Sequence, residues 1–205
     1  MAIIAKAGGS GPSILPPAGI QHAVCAFVED VGDEYSEMFN KTDRKVVIIW
    51  ELAERIPETY TDSAGNEQPV SQDIVGRPFM LSKSYTLSLG KKANLRRDLE
   101  SWRGKQFTEA ELEGFDIEVL KGKACMLNVI HEAKDGGGTR AKIAAVTPPM
   151  KGLPLLTIEA TEPPKWVAER REANAKAMST RSAHQARQRD DHAESEAAGF
   201  DEVPF

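Results

Sequence analysis

The amino-acid sequence predicts a mainly β fold, a five-stranded unit with a helix between its third and fourth strands. Three observations carry that expectation. Arg44–Glu54 (RKVVIIWELAE) is a dense β-branched run. Asn94–Trp102 (NLRRDLESW) switches to a helical period. Lys123–Glu132 and Thr139–Thr147 are two strand-like runs joined by the glycine-rich turn Ala133–Gly138.

The elements follow in order. Residues 1–18, with Pro12, Pro16 and Pro17, read as a flexible arm. Gly19–Val31 alternates as a first strand, with Ala23, Cys25 and Phe27 on one face. Gly32–Asp43 is polar and turn-prone. In Arg44–Glu54, Val46, Ile48, Trp50 and Leu52 share one face; Val47, Ile49 and Glu51 share the other. Pro57–Pro78 is rich in breakers and fits an extended hairpin or ordered loop.

Phe79–Leu89 supplies a third strand. Leu95, Leu99 and Trp102 then fall on one apolar face of a short helix. Thr108 followed three residues later by Glu111 is a capping-box pattern, and a second short turn covers Asp116–Leu120. After the hairpin strands, Lys151–Ala160 reads as a further edge strand limited by Pro154. Helices between the third and fourth of five antiparallel strands describe an OB-fold barrel, whose strands and loops bind oligonucleotides. The domain expected is 19–160, followed by a linker over 161–198 that is either a solvated helix or disordered.

At 205 residues, 40% apolar and with a mean hydropathy of -0.40, the chain supports one good-sized core plus solvated parts. The longest apolar run, Val46–Trp50, is far too short to span a bilayer, and no signal-peptide core is expected at the N-terminus. Cys25 and Cys125 are expected to be buried free thiols, which fits a cytoplasmic protein. The net charge of -5 conceals a division. Lys165–Arg189 holds seven Lys/Arg against two Asp/Glu, whereas Asp190–Phe205 holds six Asp/Glu and no Lys/Arg. An acidic terminus thus masks a body carrying clustered cations.

Enzymatic chemistry finds no support. His22 and His131 lack metal-ligand spacing, Asp135–Gly138 lacks the Gly-Lys-Ser/Thr end of a phosphate loop, and no paired carboxylates stand out. No cofactor is implied.

Gly199–Phe205 (GFDEVPF) is a different kind of signal: aromatics, acids and a Pro-Phe end beyond a flexible segment read either as a portable ligand for a basic-rimmed apolar pocket or as a solubilising acidic end. This tail resembles that of bacterial single-stranded DNA-binding proteins. The block Tyr85–Leu89, Asn94–Arg96, Leu99–Gly104, Phe107-Thr108, Gly122–Val129 and Ala141–Ile143 resembles bacteriophage OB-fold proteins of the single-stranded DNA-binding type, over about residues 19–150. The resemblance implies non-sequence-specific binding of single-stranded DNA in phage replication or recombination. It also implies recruitment of host or phage replication proteins through Phe200, Asp201, Glu202, Val203, Pro204 and Phe205, and leaves a homo-oligomer open.

Such binders need cations along a groove and aromatic faces for base stacking. Arg140 and Lys142 share a strand face, Lys134 starts the glycine-rich hairpin, and Lys83, Lys91 and Lys92 extend the set. Tyr60, in a polar loop, is the better stacking candidate; for Tyr85 core and platform readings both stand, while Trp50 and Trp102 lean towards the core. The alternative from another class is an OB-like adaptor that carries the tail without binding DNA.

Overall fold

The computed structural model describes residues 14–62, 65–135 and 137–198. Its strands are β1 (Gly19–Ser36), β2 (Lys41–Arg55), β3 (Thr59–Thr61), β4 (Glu67–Pro69), β5 (Pro78–Thr86), β6 (Ala124–Ala133) and β7 (Thr139–Thr147). Its helices are α1 (Asn94–Arg103), α2 (Glu109–Glu113) and α3 (Lys165–Ala198), with a 3-10 turn at Ile117–Leu120. The five long strands form one antiparallel sheet in the order β5-β2-β1-β6-β7; β3 and β4 form a separate two-stranded hairpin. The chain therefore is β-rich, as the β-branched runs imply.

Two compact units divide the described residues: one within 14–28, 48–83 and 88–161, the other within 29–47, 84–87 and 162–198. In the first unit, β1 pairs with β6 from Gly19↔Val129 to Val24↔Ala124, and β6 pairs with β7 from Ala133↔Thr139 to Met126↔Thr147. A bulge at Asn128/Val129 takes up one residue of β7. Helix α1 buries Leu95, Leu99 and Trp102, the stripe its spacing dictates, and ends at Gly104, whose φ of 66° suits a glycine. Trp102 lies 6.0 Å from Trp50 ring to ring and donates from Nε1 to the Ala124 carbonyl at 2.9 Å. The capping box forms as its residues demand: Thr108 accepts from the Glu111 amide, and the Glu111 carboxylate accepts from the Thr108 amide. The Pro57–Pro78 stretch contains the β3–β4 hairpin, with Tyr60 opposite Gln68.

Lys151–Ala160 differs from expectation. It forms no strand; residues 153–160 run as a strap without regular secondary structure. The reason lies in Glu51, only 2% exposed, whose carboxylate accepts the amides of Glu159 at 2.8 Å and Ala160 at 2.7 Å. A side chain takes the donors that a ladder would have used. Arg55 adds an ion pair to Glu159 at 2.6 Å.

The second unit holds the far end of the β1–β2 hairpin. The expected break at Gly32–Asp43 shrinks to four residues, 37–40, because polar cross-strand bonds keep the chain extended. Arg44 donates to Asp30, the Tyr35 hydroxyl donates to Asn40 at 2.5 Å, and Asn40 takes the left-handed φ of 46° that closes the turn. Residues 165–198 are helical. This helix lacks an apolar stripe and is fastened to the hairpin by polar groups instead. Arg170 pairs with Glu34 and Arg171 with Glu29, both at 2.9 Å; Asn174 donates to the Val31 carbonyl; the Arg181 guanidinium sits 3.2 Å from the Tyr35 ring centroid.

Candidate nucleic-acid interface

The register of β6 and β7 builds one outward face. Ile130 stands opposite Lys142 and Glu132 opposite Arg140, so these four side chains share a face with Asn128 and, through its pairing with β1, with Ile20. The other face carries Cys125, Leu127, Val129 and Ile143, all buried. On the outward face Ile20 is 59% and Ile130 40% exposed. These two side chains place apolar surface beside the two cations.

The cations are not independent. Arg140 Nε donates to one Glu132 carboxylate oxygen at 2.6 Å, and Lys142 Nζ to the other at 2.8 Å. The Lys142 and Arg140 hydrogen bonds hold the Glu132 carboxyl below the usual glutamate range. Neither Glu132 nor the two isoleucines figured among the residues expected at the site. The hairpin length alone could have identified Glu132, because a tight turn at 134–138 sets residue 132 against residue 140.

The other expected residues fall in several places. Lys91 and Lys92 are exposed in the turn before α1, and Lys134 is exposed where its amide closes the β6–β7 turn on Gly138. Lys83 is committed inward: its ammonium lies 2.6 Å from Asp98, a carboxylate of α1 that is itself buried. Tyr60 is half-buried in β3. Tyr85 is 3% exposed, which removes the ring from reach of a base and corrects its reading as a stacking platform. Trp50, Phe79 and Trp102 are likewise buried. Phe200, Asp201, Glu202, Val203, Pro204 and Phe205 lie outside the described residues.

Reactive groups are held quiet. Burial raises the Cys25 thiol to about 12 and pushes Cys125 up further, so neither is a thiolate near neutral pH. His131 Nε2 bonds the Pro16 carbonyl at 2.8 Å. Among the described residues no group of three or more His, Cys, Asp or Glu side chains is placed to hold a metal, and no helix is long and apolar enough to cross a membrane. Comparison with protein-family models, curated proteins and solved structures finds no match to this chain.

Two outcomes follow from these pairings. Lys83→Ala leaves Asp98 without its nearest ammonium and should lower stability by about 2 kcal/mol in urea unfolding. That is less than a fully buried pair would lose, because Lys83 keeps some contact with water. The depressed Glu132 carboxyl favours the folded hairpin above the ordinary glutamate pKa, and this contribution is lost as pH falls through the folded value. A carboxyl-detected NMR titration should give Glu132 a midpoint below that of a solvated glutamate, moving upward in Lys142→Ala.

Proposed function

We propose that this chain is a single-stranded DNA-binding protein of the phage OB-fold type, coating exposed strands without sequence preference in replication or recombination. The observation that carries the reading is the outward β6–β7 face, with Arg140 and Lys142 beside the exposed Ile20 and Ile130. Cations there would meet phosphates, and the apolar side chains would floor the bases.

The finer fold belongs to the same proposal. The order third, second, first, fourth, fifth of the long strands, with α1 in the third-to-fourth connection, suits an OB barrel that closes by joining β5 to β7. Residues 199–205 would recruit replication or recombination partners, their Phe and acids suiting a basic-rimmed apolar pocket.

A second reading has one observation in its favour. Arg140, Lys142 and Lys83 are all paired with carboxylates, which leaves less free positive charge than a strong DNA binder displays. On that reading the unit is an adaptor and the tail its active part.

Titration with (dT)30 at low salt decides between them. A DNA binder shifts the oligonucleotide, and its affinity falls steeply with salt as condensed counterions are released. Removing residues 199–205 should leave that affinity equal or higher, since the acids compete with DNA for cations. An adaptor shows no shift with either form, and that result would contradict the proposal.

A further inference from the structure

We infer that Glu132 is an internal competitor for phosphate, and that it sets how tightly the β6–β7 face takes a phosphodiester. The inference rests on the single-strand reading above and adds the residue that tunes it.

The geometry is that of an anion cradle already filled. Arg140 and Lys142 stand two residues apart on one face of β7, and both reach back across the ladder to a single carboxylate. Each takes a different oxygen of Glu132, Arg140 Nε at 2.6 Å and Lys142 Nζ at 2.8 Å. A phosphodiester presents two non-bridging oxygens in a similar fork, so it can be held by the same donors. The cations are open to an incoming group, with side chains 58% and 52% exposed, while Glu132 keeps 24%. The cluster carries a net charge of only +1 with the carboxylate in place.

The neighbourhood favours a nucleic-acid strand over a free anion. Ile130 adjoins Lys142 in the register and Ile20 extends the apolar strip along β1. A simple anion gains nothing from that strip, whereas a base or deoxyribose buries surface on it. Exposed ion pairs of this kind support the hairpin only modestly. The effect of Glu132 on an incoming polyanion is larger: phosphate must displace the carboxylate before it gains both cations. In that arrangement affinity is moderated, and the strand can be released.

Glu132→Gln tests this directly, since the amide keeps the side chain's shape and removes its charge. Glu118→Gln, an exposed acid of the 3-10 turn, controls for the change in overall charge. Binding of (dT)30 by fluorescence anisotropy over a salt series should show Glu132→Gln about 3- to 10-fold tighter at low salt. Its log K against log[salt] slope should steepen by about 0.7, one further phosphate contact. Glu118→Gln should do neither. Inorganic tripolyphosphate, which has no base, serves as second probe and should shift the Arg140 and Lys142 amides more strongly in Glu132→Gln than in wild type. If wild type binds (dT)30 and Glu132→Gln gains no more than Glu118→Gln, the competitor role is wrong and the single-strand reading stands. If no form binds (dT)30 but Glu132→Gln takes tripolyphosphate more tightly, the single-strand reading fails and the cradle stands. Should neither probe distinguish the variant, the inference is overturned.

Discussion

The constraint on which the first unit depends is the burial of β2 on both of its faces. Ile48 to Leu52 are each at most 2% exposed, so the strand needs cover above and below. Trp50 meets Trp102 of α1 on one side. Glu51, pointing the other way, would be a buried charge of high cost without partners, and the Glu159 and Ala160 amides supply them. A carboxylate in the middle of an apolar strand thus dictates where a distant segment must lie. Trp50 pays differently: its Nε1 is buried without a hydrogen-bond partner in the structure. The large indole surface removed from water outweighs a lost bond of about 1–3 kcal/mol.

Covering β2 in this way has a consequence for binding. The strap lies over the Glu51 face, and a small cavity remains under it, lined by Val24, Leu52, Pro78 and Leu156 among others. Glu51 and Glu159, against the single cation Arg55 that pairs with Glu159, leave that region a net negative charge, which disfavours phosphate. Positive charge and exposed apolar surface coincide instead on β6 and β7. The fold therefore separates a latched acidic face from an open, partly neutralised basic one, and the proposed interface is the second.

Much of the framework was legible because its signals are local. The β7 bounds Thr139–Thr147 follow from alternation between a glycine turn and Pro148, and α1 differs from its expected span by one residue. The capping box needs only Thr108 and Glu111. What escaped depends on partners remote in sequence. Gly32–Ser36 looks like a loop by composition, yet it is strand, with Tyr35 bonded to Asn40 and under Arg181, and Glu34 paired with Arg170 of α3. Lys151–Ala160 looks like a strand, yet Glu51 takes the amides of Glu159 and Ala160 at its end. Lys83 reads as a surface cation until Asp98 is found beside it, and Tyr85 is settled only by burial. The helical character of 165–198 was open for the same reason: no apolar stripe announces it, and its partners on β1 are two carboxylates, backbone carbonyls and the Tyr35 ring.

The central claim is that the outward β6–β7 face takes single-stranded DNA. Amide chemical-shift mapping of the full chain on addition of (dT)30 at low salt tests it most directly. The account predicts that the perturbed residues cluster at Ile20, Asn128–Glu132 and Arg140–Ala144, with the strap amides of Glu159 and Ala160 unmoved. Perturbations centred on the strap and the Glu51 side of β2, or none at saturating oligonucleotide, would contradict it.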